Sequence, residues 1–260
     1  MVLLICMLVS FSASVVGAIC GLGGGIVIKP VLDMTGAVSV AEASLLSAST
    51  VLAMSISSLY KNFRAGERIQ LNIGLPLAGG AAIGGLLGKS IFQSICRIAG
   101  EGYAGFAQSA LLLLLTFGVL IYKLKEEGVQ PKLVKSRLLA TFVGVVLGCF
   151  SSLIGIGGGP INLLVLSYLF GMKGKEAVMS SLFIIGFSQT AALATAAVGG
   201  GFADFDVIRL IGMVLCGIGG GSLGSFIHRR ISEKGNRTVL VGLLLLIMLI
   251  CGRNIAVRIF

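Results

Sequence analysis

Charge is what this chain has least of. Asp, Glu, Lys and Arg make up only 12% of its 260 residues, against about 25% in soluble domains. That leaves too little polar surface to face water on every side. Histidine is almost missing: the single one, His228, stands in the basic stretch "HRRISEKGNR" and reads as a solvated loop residue. No Ser/His/Asp set, zinc motif or pair of catalytic carboxylates can be assembled from the sequence. The six cysteines (6, 20, 96, 149, 216 and 251) contain no CxxC pair. Five lie in or beside apolar runs, where cysteine behaves as a small hydrophobe, so no disulfide framework is indicated. A nucleotide-binding loop is lacking too. "GGLLGKS" has Ile83 where the P-loop needs glycine, and "GLGGGI" lacks the last glycine of GxGxxG at Ile26. ATP-driven transport and membrane-enzyme chemistry are left without a motif, and neither a cofactor nor a metal is expected.

What fills the chain instead is hydrocarbon. Apolar residues make up 56%, and the mean hydropathy is +1.05. Runs such as "ALLLLLTFGVLIY" (110–122), "LVGLLLLIMLICG" (240–252) and the opening "MVLLICMLVSFSASVVGAIC" read as membrane spans. A net charge of +10 would suggest nucleic acid in a soluble protein. Here the Lys and Arg residues sit in short segments between apolar runs, as the positive-inside rule expects, so the partner is a bilayer and not nucleic acid. The opening residues have no basic n-region and no clear small-x-small cleavage site, and they read as part of the fold.

The chain repeats itself. A shift of 134 residues superposes Gly21, Gly23, Gly24 and Gly25 on Gly155, Gly157, Gly158 and Gly159, Glu42-Ala43 on Glu176-Ala177, and Ser47 on Ser181. At a shift of 136, Gly84, Gly85 and Gly88 fall on Gly220, Gly221 and Gly224. The expectation is an all-α integral membrane protein of two repeats, 1–124 and 137–260, joined by a cytoplasmic linker at 125–136. Each half has four apolar stretches: 2–36, 38–60, 71–91 and 104–122, then 138–170, 176–198, 207–227 and 238–252. If every stretch crosses once, Lys and Arg divide nearly evenly between the two sides. If the first stretch of each half turns back at its glycines, the count changes. All but six of the 20 Lys and Arg residues (Lys29, Lys89, Arg97, Arg209, Arg253 and Arg258) then share one side with the linker. The bias required by the positive-inside rule appears only in that arrangement. It makes the repeats inverted, each with a glycine-broken first helix and three spanning helices, 8–10 membrane segments in all, with both termini outside. Residues 24–36 would reach about 20 Å as a helix, short of a hydrocarbon core of about 30 Å, which favours a re-entrant half-helix.

Four glycines in the five residues "GLGGG", and again in "GIGGG", need a reason in hydrocarbon, where unpaired N–H groups cost several kcal/mol each. A broken helix whose free N–H groups and positive end face an anion near the midplane supplies one. Pro160 suits the first turn of the helix that follows. Gly23, Gly24, Gly25, Gly157, Gly158 and Gly159 are therefore expected to bind substrate. Asn162 and the matched Ser47 and Ser181 would add neutral donors. Hydroxyls in helices also bond their own backbone, and that reading is as good for any single one. Lys29 could balance substrate charge, pair with Asp33 at i,i+4, or snorkel. Glu42 and Glu176 begin helices, where a carboxylate suits the dipole; proton coupling is their lesser reading. Gly84/Gly88 and Gly220/Gly224 have the spacing of close helix packing.

"GLGGG" and "GIGGGPINLL", followed by "EASLLSAST" and "EAVMSSLFI", resemble the TauE/SafE family of sulfite and organosulfonate exporters over nearly the whole chain. The resemblance implies a multi-pass inner-membrane permease that moves a sulfur-containing anion outward. The residues themselves lead to a secondary transporter for a small oxyanion working by alternating access. An anion channel, or a transporter of another small anion, is the alternative. Coupling to protons or another ion stays open.

Overall fold

The computed structural model describes residues 2–36, 38–125, 130–199 and 206–259, and every regular element among them is a helix. In order these are α1 (Val2–Cys20), α2 (Gly25–Thr35), α3 (Val40–Arg64), α4 (Leu71–Lys125), α5 (Arg137–Ile154), α6 (Gly159–Phe170), α7 (Gly174–Val198), α8 (Val207–Arg230) and α9 (Glu233–Ile259). Seven of them are long and apolar enough to cross a membrane. α2 and α6, with 11 and 12 residues, reach only about 16–18 Å at 1.5 Å per residue.

The ends are set by local chemistry. Ser39 caps α3 by accepting the Glu42 N–H at 3.1 Å, and Asp206 caps α8 by accepting those of Ile208 and Arg209. Gly36 and Gly171 close α2 and α6 in the left-handed conformation. As a straight rod α4, with 55 residues, would run about 80 Å. It folds back at Gly100 (φ 84°, ψ 161°). Gly88 before the turn lies against the Cys149 carbonyl, and Gln108 after it donates to the Leu153 carbonyl at 2.6 Å, so both arms meet one turn of α5.

Contacts between helix ends sort the molecule into two faces. On one, Arg209 pairs with Glu42 at 2.6 Å, the Val40 N–H donates to Glu101, and Asn254 donates to the Pro30 carbonyl. Met7 near the start of α1 packs at Gly212 on the same side. On the other, Arg237 donates to the Lys123 carbonyl, Lys175 faces Glu67 at 3.7 Å, and the N–H groups of Lys132 and Val134 donate to the carbonyls of Tyr168 and Leu169. The α1–α2 hairpin thus enters and leaves by the Glu42 face, and α5–α6 by the Arg237 face. The remaining helices run from face to face. Residues 126–129 of the expected linker lie outside the described residues.

Packing between these helices runs through glycine, as the spacing predicts. Gly84 and Gly88 lie on the carbonyls of Val145 and Cys149 in α5, while Gly220 and Gly224 lie on those of Phe11 and Val15 in α1. A side chain at any of the four would displace the opposing backbone. Phe11 and Val15 are 134 residues before Val145 and Cys149, so the same contact is made twice at matched positions.

Candidate functional site

The two glycine runs cross at the centre of the molecule. Gly21 and Gly23, then Gly155, Gly157 and Gly158, all have φ between 70° and 85°, a conformation that L side chains adopt only with strain. Gly25 sits on the Ile156 carbonyl and Gly159 on the Leu22 carbonyl, a reciprocal pair at a spacing of 134. Gly23 and Gly157 both pack against Val51 and Ile185, themselves matched. Backbone therefore rests on backbone, and the N-termini of α2 and α6 lie side by side. Among the described residues the N–H groups of Gly23, Gly24, Gly25, Gly157, Gly158 and Gly159 meet no hydrogen-bond acceptor. Two helix N-termini with free donors concentrate positive potential at one buried point.

The broken ends of α1 and α5 leave carbonyls to satisfy, and side chains from other helices reach them. His228 Nδ1 lies 2.7 Å from the Ile19 carbonyl, and Gln108 serves the matched Leu153. This corrects the reading of His228 as a solvated loop residue: it is only 3% exposed. α8 continues to Arg230 and turns His228 inward onto α1. Because a carbonyl can only accept, Nδ1 carries the proton. Ser181 donates to the Gly21 carbonyl at 2.6 Å, so its hydroxyl ties α7 to the first break. Its counterpart Ser47 is buried with no partner for its Oγ.

Lys29 and Asp33 form a buried ion pair at 2.7 Å, which selects the i,i+4 reading of that lysine. Its Cδ nevertheless approaches Gly155, 3.3 Å from where a Cβ would stand. Asn162 lies in the first turn of α6 beside Gly158, 1% exposed, with neither amide atom partnered. Glu42 occupies the first turn of α3 as expected, but its carboxylate binds Arg209 of α8 and not its own helix end.

Cavities flank the crossing on both sides. One, about 450 Å³, opens on the Arg237 face between Lys123, Lys173, Lys234 and Arg237, with Glu233 the one acid among the described lining residues, and its floor includes Cys20 and Val178. Val178 is the residue against which Gly21 packs. Toward the other face, a small buried pocket of about 10 Å³ is lined by Ser44, Lys89, Ser152, Gly155 and Gln189 together with four aliphatic residues of α3 and α7. The vestibule cations were legible only as part of the charge bias. Lys89 had a clearer signal, a lone charge inside an apolar run.

The chain matches the family model described as Sulfite exporter TauE/SafE over residues 6–250 and belongs to that family. It is a multi-pass membrane transporter. Among its relatives in Bacillus subtilis, the probable membrane transporter protein YunE is 24% identical, with 92% of each chain covered. The probable membrane transporter protein YjnA is 24% identical over 88% of this chain and 93% of its own. YdhB, likewise a probable membrane transporter protein, is 24% identical over 68% of this chain and 72% of its own. No solved structure matches the chain.

Proposed function

We propose that this member of the TauE/SafE family is a secondary transporter that exports a small sulfur-containing oxyanion, such as sulfite or an organosulfonate, by alternating access. The observation that carries this reading is the cationic vestibule ending at a glycine break. Among the described residues, four basic side chains and one acid line an opening of about 450 Å³ whose floor touches the first break, where unpaired N–H groups wait. Basic walls draw anions in, and neutral donors at a helix end hold them without the grip of a fixed ion pair. The Arg237 face carries most of the Lys and Arg residues, which by the positive-inside rule makes it cytoplasmic. The protein then lies in the inner membrane with its vestibule open to the cytoplasm, the side from which an exporter loads.

The halves 1–124 and 137–260 act as inverted repeats about the paired breaks. Reciprocal contacts at Gly25 and Gly159, and hairpins that enter from opposite faces, support that relation. Rocking one half against the other would close the vestibule and open the opposite pocket. Substrate binding is assigned to Gly23, Gly24, Gly25, Gly157, Gly158, Gly159 and Asn162, with Ser47 and Ser181 as supporting hydroxyls and Lys29 charge-balanced by Asp33.

Flux into proteoliposomes tests this. Labelled sulfite, thiosulfate, sulfate and sulfoacetate are offered with and without a pH gradient. Saturable uptake of one of them, reduced at least tenfold by Asn162→Ala, is the expected result. Flux that rises linearly with concentration contradicts alternating access and makes the protein a channel, while no flux of any of the four removes the sulfur-anion assignment.

A further inference from the structure

The two sides of the glycine crossing are built from matched residues but differ in charge. On the Glu42 side, Ser44, Lys89, Ser152 and Gln189 line one pocket with Gly155, and all of them are buried. Their counterparts at spacings of 134 and 136 are Val178, Ser225, Ala18 and Ser55. Ala18 and Val178 join Met54 and Leu182 in an apolar cluster, and the place of Lys89 is taken by a serine. The fold therefore completes this position without a charge, and Lys89 is not demanded by packing.

Lys89 is the centre of that set. It is 5% exposed, on the arm of α4 before the Gly100 turn, and its ammonium lies over the Phe92 ring at 5.1 Å. Among the described residues no carboxylate lies within ion-pair distance of it. The Oγ atoms of Ser44 and Ser152, which line the same pocket, have no hydrogen-bond partner. Gln189 reaches Ser151 at 3.2 Å through its amide nitrogen. The one nearby cation with a counter-ion is Lys29, held by Asp33. A buried, unpaired ammonium beside two unpaired hydroxyls is costly unless an anion visits.

We propose that Lys89, Ser44, Ser152 and Gln189 form an oxyanion-binding site on the outward side of the second glycine break, with Lys89 supplying the counter-charge. This rests on the transporter reading above and names a residue set that reading did not include. The ligand class is a small oxyanion with at least three oxygens, one for the ammonium and others for the hydroxyls and the amide. The pocket of about 10 Å³ holds no more than one water. The site is thus collapsed in this conformation and fills when α3 and α7 separate from the arm that carries Lys89.

The test is the thermal stability of the purified full-length protein in detergent, titrated with sodium sulfite, sodium sulfate or sodium acetate at constant ionic strength. Lys89→Met, Lys89→Arg and the exposed control Lys135→Met are compared with wild type. Sulfite or sulfate should raise the wild-type midpoint saturably and acetate should not. Lys89→Met should need at least tenfold more anion, Lys89→Arg should fall between, and the control should match wild type. Without anion, Lys89→Met should melt no lower than wild type, because a buried unpaired charge has been removed. A Lys89→Met protein that responds like wild type overturns the proposal, as does one that melts lower without anion, since Lys89 is then structural. A wild type unmoved by either oxyanion also overturns it. Sulfite flux in proteoliposomes separates this from failure of the transporter reading. Normal flux in Lys89→Met leaves the transporter and removes the site, while Lys89-dependent stabilisation without flux leaves the site and removes transport.

Discussion

At the scale of single residues, glycines do two different jobs here, and they should respond differently to a methyl group. Gly159 lies directly on the Leu22 carbonyl, whereas Gly79, in the interior of α4, has no neighbour within 4 Å of where a Cβ would stand. Gly159→Ala should lower stability by about 3 kcal/mol or more, because overpacking against backbone cannot be relieved by a rotamer change. Gly79→Ala should be neutral or raise it by about 0.5–1 kcal/mol through helix propensity. Thermal melts of the two purified proteins check both signs. The glycine runs were legible in the sequence because four glycines in five residues have few other uses in hydrocarbon. His228 was not legible: a string of basic neighbours hid the fact that α8 runs to Arg230 and faces α1. The Lys89 pocket was hidden for another reason. Its lining comes from α3, α4, α5 and α7, so no stretch of sequence shows it assembled.

At the scale of elements, a helix broken inside a membrane has to satisfy the carbonyls at its end as well as the N–H groups beyond it. Here the matched carbonyls of Ile19 and Leu153 receive a His and a Gln from unrelated helices. Removing either donor strands a buried carbonyl, at about 1–3 kcal/mol. His228→Leu should destabilise by that amount, and His228→Gln should recover much of it, since a glutamine performs the same task at Leu153. Melting midpoints of the two variants decide, and equal losses would mean that only ring packing matters. The turn inside α4 gives a second case. Gly100 has a φ of 84° but open space around it, so Gly100→Ala should cost about 1–3 kcal/mol from backbone strain alone. Replacement by serine should cost the same, and a much larger loss for the bigger side chain would point to a clash instead. Helix order and the four stretches per half were readable from hydropathy. A reversal between 91 and 104 followed from those stretches, but its place at Gly100 did not, because one glycine among several carries no mark of which will bend.

At the scale of the whole molecule, the charge bias and the geometry describe one object. Two short hairpins enter from opposite faces and meet by their backbones, a cationic vestibule stands on one side, and a small buried pocket holding Lys89 stands on the other. The vestibule floor at Val178 and the pocket wall at Ser44 are matched positions, 134 residues apart, each packed on the glycine that opens its break. If the protein alternates, access to these two positions must be exclusive. The direct measurement is labelling of Val178→Cys and Ser44→Cys by a membrane-impermeant maleimide, from the cytoplasmic and outer sides in turn, with and without sulfite. The account predicts that Cys at 178 labels from the cytoplasmic side in the resting protein while Cys at 44 is protected. Sulfite should lower the first rate and raise the second from the outside. Simultaneous labelling of both positions at high rate, unchanged by sulfite, would contradict it and describe an open pore.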